Sequence, residues 1–213
     1  MMYEFSVISF DMEGTLIDHT YSRTIWEEDI PRLFSDKHQV PLDEAKETVF
    51  KEYAKVGELQ PEWYDIEYWF KLFELKSDWR KLLEDRRDHV RLYKETRKIL
   101  EEIRDKIPII ISSNTIREFL DVQIDVLGNY FDNIFSAPSD FNVVKKDEIF
   151  YNKVLKLLDL EPDQIVHVGD HYNFDYIAPK QIGIQAYHLE RDGEKKGQDV
   201  VNSLEEFLRN INF

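Results

Sequence analysis

Short, continuous apolar runs alternate along this chain with longer segments in which apolar positions recur every three to four residues. The run FSVISF at residues 5–10 ends abruptly in the polar string DMEGT, as a strand buried on both faces does where it passes into a loop. Residues 107–111, 134–137, 165–168 and 184–189 have the same character, and the first three of these end in SSN, in Pro138 and in GD. Between them lie amphipathic segments of helical length at 116–127, 147–158, 174–182 and 204–211. Strands alternating with helices predict an α/β domain: a mainly parallel five-stranded sheet with helices on both faces. Ligands of such sheets bind beyond the carboxyl ends of the strands, which is where the polar strings fall.

Residues 18–91 break the alternation. They offer only helix-like stretches, at 21–34, 42–56, 62–73 and 78–90, with Pro41 and Pro61 near two of the starts, where a missing N–H is tolerated. The expectation is a catalytic-type α/β core made of residues 1–17 and 92–213, interrupted by an all-helical insertion at 18–91. No repeat or low-complexity linker separates the two.

Composition narrows the partners. At 213 residues with 42% hydrophobic content, the chain can bury one sizeable core plus a satellite. A formal net charge of −15 argues against nucleic acid or an anionic membrane as partner, since both would be repelled. The absence of cysteine excludes disulfides, thiolate metal sites and cysteine catalysis. No stretch approaches the ~20 apolar residues of a membrane span, and the start MMYEFSVISF has no signal-peptide pattern. The expected setting is cytoplasmic, with a small soluble molecule as substrate.

The candidate chemistry sits at the strand ends. Asp11 and Glu13 follow the first strand, with Gly14 next. A carboxylate there can serve as a nucleophile that divides one displacement into two, and a second acid two positions on can protonate a leaving alkoxide and later activate water. An isolated D-x-E equally describes solvated loop residues that cap a helix. Asp170 closes the fourth run and Asp175 follows five residues later. Carboxylates around one pocket suit a hard cation such as Mg²⁺, while Asp175 is also placed to cap a helix. Ser113 and Asn114 precede a helix and could hold a phosphate at its N-terminus or cap it in the ordinary way. Lys145 and Lys146 lie before another helix, where the helix dipole does not favour a cation.

Taken in order, FDMEGTLID, IISSN, a lysine before a helix and VGDHYNFD closely resemble the four motifs of the haloacid-dehalogenase-like hydrolase superfamily. The resemblance spans the whole core, implies a Rossmann-like sheet, and likens the insertion to the helical cap of one large branch. It implies Asp11 as nucleophile and Glu13 as general acid/base, with the Glu13 carbonyl helping Asp11, Asp170 and Asp175 to hold Mg²⁺. Ser113, with Asn114, would hold the transferring phosphoryl group. The family's third motif, counted back from Asp170 without a gap, falls on Lys145, with Lys146 as the second candidate. Most phosphatases of the superfamily carry Asp where this chain has Glu13; an enolase-phosphatase branch also reads D-x-E-G-T, and the dehalogenase branch has an aromatic residue there. Glu13 therefore favours a phosphatase acting on a small phosphorylated metabolite, in a monomer or homodimer. Phosphoryl transfer as in a mutase, and a phosphate- or partner-binding protein without turnover, are the alternatives.

Overall fold

The computed structural model describes residues 5–193 and 197–213. Six strands form one parallel sheet: β1 (Val7–Phe10), β2 (Ile109–Ser113), β3 (Asn133–Ser136), β4 (Ile165–Gly169), β5 (Gln185–Leu189) and β6 (Val200–Val201), in the spatial order β3-β2-β1-β4-β5-β6. The sixth strand is a correction to the expected five. Two residues are too short to leave a periodic signal, and β6 is defined only by its pairing of His188 with Val200 and Leu189 with Val201. β2 also starts and ends two residues later than expected. Pro108 has no N–H for the ladder, and Ser112 and Ser113 remain paired with Phe135 and Ser136, so the serine string is strand rather than loop. β3 stops at Ser136, whose hydroxyl accepts from Ser139 N at 3.1 Å and caps a one-turn helix, Ala137–Phe141.

Every residue of β1, β2 and β4 is buried, as expected of strands with helices on both sides. Alternation along the strands sorts them. Val7, Ile110 and Ile165 face one side with Phe150, Tyr151, Val154 and Leu155 of the helix Glu148–Leu158. Phe10 and Tyr187 face Phe207 of the helix Leu204–Asn210, with ring centroids 5.9 and 5.4 Å away. The helix Thr96–Ile103, absent from the sequence expectation, buries Ile99, Leu100 and Ile103. Ser9, Ser112 and His167 share the face of Val7, Ile110 and Ile165, and all three are buried. A polar layer in the middle of an apolar sheet must be hydrogen-bonded to be tolerated; its partners define the site described below.

The chain divides into two compact units, residues 1–18, 92–114 and 127–213 forming one, and 19–91 with 115–126 the other. The second unit contains the inserted helical stretches and, in addition, most of the helix Arg117–Leu127. Its helical run continues through Thr20–Arg23, a π-helical Thr24–Asp29 and Ile30–His38, longer than the expected 21–34. The last two expected helices are shorter, at Ile66–Leu72 and Trp79–Asp85: Asp65 and Asp78 fix their starts as N-caps that accept two backbone N–H bonds each, and the second gives way to a 3₁₀ turn at Arg87–His89. Trp69 is fully buried against Tyr53, 4.6 Å between centroids, and Trp26 stacks on Phe119 at 5.5 Å. Asp29 receives a two-pronged bond from Arg86 at 2.6 and 2.7 Å. A cavity of about 450 Å³ in this unit is lined by Trp26, Phe50, Tyr53 and Trp63, with Arg23 and Glu27 among its polar groups. Among the described residues, no helix is long and apolar enough to cross a membrane.

Candidate active site

β1 is flanked by β2 on one side and β4 on the other, so the strand order reverses beside it: the chain runs outward through β2 and β3 and then returns to β4. The crevice at such a switch point lies at the carboxyl end of β1. Asp11 occupies it, its N–H bonded to Val168 O at 3.0 Å, and it is 6% exposed. The chain then turns tightly, with Gly14 N on Ile17 O at 2.7 Å and Ile17 N on Met12 O at 3.1 Å. Gly14 has φ +82°, and a Cβ there would overlap the Asp170 carboxylate. The glycine thus serves both the left-handed backbone and the close approach of a second carboxylate.

Asp170 follows β4, and its carbonyl oxygen lies 2.9 Å from His188 Nε2. Asp175 sits in a π-helical turn, Tyr172–Ile177; such turns recur at functional sites because the extra residue turns a side chain inward. The turn is closed by Asp175 N on His171 O at 2.8 Å and by His171 N on Asp175 Oδ2 at 3.0 Å. A Cβ on Gly169 would overlap the Asp175 side chain. One carboxylate oxygen from each of Asp11, Asp170 and Asp175 lies within 4.8 Å of the others.

Lys146 joins two of these carboxylates. Its ammonium donates to Asp11 Oδ1, to Asp175 Oδ1 at 2.5 Å and to Ser112 O at 3.0 Å, and the residue is 1% exposed. The ungapped count had pointed to Lys145; the geometry puts Lys146 on Asp11 and Lys145 over the Phe174 ring, 4.5 Å from its centroid. The physical reason is the helix start. Asp147 is the N-cap, accepting from Phe150 N at 3.0 Å, and Lys146 N donates to Asn114 Oδ1 at 2.7 Å. Those two anchors leave Lys146 turned inward. Asn114 Oδ1 thus holds the lysine backbone. Ser113 is buried at the end of β2, and Glu13 is half-buried.

The polar layer under the site supports Asp175. His167 Nε2 lies 3.0 Å from Asp175 Oδ1 and 3.2 Å from Tyr151 Oη, and its Nδ1 lies 2.8 Å from Ser9 Oγ, which is 2.9 Å from Ser112 Oγ. Burial lowers the His167 pKa despite the nearby Asp175, so the ring is neutral. Because an ionised carboxylate only accepts, Nε2 carries the proton and Nδ1 accepts from Ser9. Sequence reasoning missed His167, although a histidine inside the apolar run IVHV is a visible irregularity.

Electrostatics separates the carboxylates. Burial, aided by Asp175 and Asp170 and opposed by Lys146, pushes Asp11 up to about 8. Asp175 is also buried, but Lys146 and the bond from His167 outweigh that and hold it well below the usual carboxylate range. Burial opposes the charge on Lys146, and Asp11 with Asp175 more than offset it and raise its pKa. With three carboxylates and one bound ammonium gathered here, acidic groups outnumber the cation. A hard divalent cation with oxygen ligands fits that excess and that donor set.

The model of the haloacid dehalogenase-like hydrolases matches residues 5–183. The chain belongs to this family. A crystal structure of a HAD phosphatase from Thermococcus onnurineus superposes with a TM-score of 0.83 at 24% identity, covering 96% of this chain and 97% of that one. A 2-haloacid dehalogenase from Pseudomonas syringae superposes with a TM-score of 0.68 at 17% identity, covering 98% of each. Both likenesses concern the fold, which hydrolases of different bonds share. A haloacid dehalogenase-like hydrolase domain-containing protein 3 from Danio rerio is 37% identical over 65 residues, 30% of this chain. The match spans only about a quarter, 27%, of that relative's length. The chain is thus a member of this hydrolase family whose core gathers carboxylates able to hold a metal.

Proposed function

We propose that this protein is an Mg²⁺-dependent phosphatase that hydrolyses a small phosphate monoester through an aspartyl-phosphate on Asp11. The observation that carries the reading is the bridge from Lys146 to both Asp11 and Asp175 inside a cluster of three carboxylates. A nucleophile held beside a fixed ammonium, with room for a cation, is arranged to receive an anionic group and to balance the charge it brings. Asp11, Asp170 and Asp175, with the Glu13 carbonyl, would hold the metal; when bound, it neutralises phosphoryl oxygens and lowers the cost of ionising Asp11.

In the first half-reaction an Asp11 carboxylate oxygen attacks phosphorus, the bond from phosphorus to the leaving oxygen breaks, and Glu13 gives that oxygen its proton. In the second, the Glu13 carboxylate takes a proton from water, the water oxygen attacks phosphorus, and the phosphorus–Asp11 bond breaks to release inorganic phosphate. Lys146 keeps its charge throughout, and Ser113 at the end of β2 contributes to holding the phosphoryl oxygens. Glu13 supports this over carbon–halogen cleavage, since halide leaves without a proton and needs no acid there.

The experiment is turnover of 4-nitrophenyl phosphate with and without Mg²⁺, followed by a panel of sugar phosphates, nucleotides and amino-acid phosphates. Asp11→Asn should lower kcat by more than ~10³-fold, the scale of losing a covalent nucleophile. Wild-type rates in Asp11→Asn, or halide release from 2-haloacids with no phosphate release from any ester, would overturn the reading.

A further inference from the structure

A second set of interactions in the core grips the turn that carries Glu13, and it comes from the far end of the chain. Arg191 lies two residues beyond β5. Its Nη2 donates to Thr15 O at 2.6 Å and its Nε to Gly14 O at 3.2 Å, while Nη1 donates to Glu95 Oε1 at 2.6 Å. The guanidinium lies over the Tyr93 ring, 3.5 Å from its centroid. The Glu95 side chain is 5% exposed and that of Arg191 20%. Tyr93 and Thr96, on either side of Glu95, also bind the turn, through Tyr93 N and Thr96 Oγ1 on Leu16 O at 3.2 and 2.7 Å.

We propose that Arg191 is a positioning residue that fixes the Glu13 turn and thereby sets how well this chain protonates its leaving group. The proposal rests on the phosphatase reading, in which Glu13 is the acid. Gly14 follows Glu13 directly and has no side chain of its own to anchor the backbone, so beyond the bond of its N–H to Ile17 O its conformation is held by what grips its carbonyl. A guanidinium can bind two successive carbonyls and a carboxylate from one rigid plane. A lysine, as a point charge on a flexible stem, cannot reproduce that fork. The short charge-assisted bonds to Thr15 O and Glu95, both 2.6 Å, are about twice as strong as neutral ones, and Glu95 with the Tyr93 face keeps the fork aligned. Glu is also a methylene longer than the Asp most phosphatases of this family carry at this position, which makes the setting of its backbone more consequential.

The signature is selective. A nitrophenolate departs without a proton, whereas a benzyl alkoxide needs one, so a displaced acid slows the second and spares the first. The assay measures kcat/KM with saturating Mg²⁺ for 4-nitrophenyl, phenyl and benzyl phosphate, three esters of similar shape and rising leaving-group basicity. Displacing a catalytic group by ~1 Å costs about 10²-fold. Arg191→Ala should therefore lose about 10²-fold on benzyl phosphate and about threefold or less on the nitrophenyl ester, with phenyl phosphate between. Arg191→Lys and Glu95→Gln should show the same gradient, smaller in size, and they carry the test if the alanine variant does not fold. Equal losses on all three esters, or none on any, would refute the clamp while leaving the phosphatase reading intact. A wild-type protein inactive on all three would sink that reading and the clamp with it.

Discussion

Replacing Lys146 with Met keeps most of the length of the side chain and removes its charge, leaving Asp11 and Asp175 facing each other in a buried site. Removing one partner of a buried ion pair typically costs ~3–5 kcal/mol, because the other charge is left uncompensated. The loss should depend on pH, and its sign can be worked out. At low pH the orphaned carboxylates take up protons and stop repelling; as pH rises they must ionise without a counter-charge. The deficit of Lys146→Met relative to wild type should therefore grow from pH 5 to pH 8, and Mg²⁺ should narrow it by supplying positive charge to the same oxygens. The assay is urea unfolding of the variant and the wild type at pH 5 and 8, in EDTA and in Mg²⁺. If the Lys146→Met deficit ignores pH, the electrostatic account of the site is wrong.

Gly14→Ala should lower stability by ~1–2 kcal/mol, from the positive φ, and should weaken Mg²⁺ binding because the new methyl meets Asp170; retained metal affinity in a calorimetric titration would contradict that close approach. Mg²⁺ itself should raise the melting temperature, by the equivalent of ~2.7 kcal/mol at a hundred times its Kd. Its affinity should climb between pH 6 and 8, because Asp11, held near 8 without metal, must give up its proton to bind. The same raised pKa means that metal-free stability falls as pH rises from the ordinary value of 3.8 to about 8, since the folded state holds the proton more tightly than the unfolded one. Affinity that is flat across that interval would count against a protonated Asp11. The losses expected of Asp11→Asn and Arg191→Ala complete the set.

Much of the frame was legible because it rests on local patterns. Continuous apolar runs marked β1, β2, β4 and β5 because a strand covered on both faces admits few polar side chains, and the 3.6-residue rhythm marked the helix Glu148–Leu158 for the same reason on one face. Asp11, Asp170 and Asp175 stood out because they end such runs, and the sheet brings strand ends together by its own geometry. What depends on pairing was not legible: β6 exists only by its register with β5, and β2 reaches Ser113 only because β3 pairs with it there.

The difference between Lys145 and Lys146 is of that second kind. Adjacent residues share composition, hydropathy and motif, and which one turns inward is settled by Asn114 and the Asp147 cap, a distant side chain and a helix start. His167 shows as an irregularity in an apolar strand, but its bonds to Ser9, Tyr151 and Asp175 come from three other elements. Arg191 carries no sequence signal at all, lying 176 residues from the Thr15 carbonyl it binds. Periodicity and residue type act locally, and they sufficed for most of the elements and for the chemistry at their ends. Which cation meets Asp11 and what holds the Glu13 turn were settled by long-range packing, because those contacts form between segments that no local preference connects.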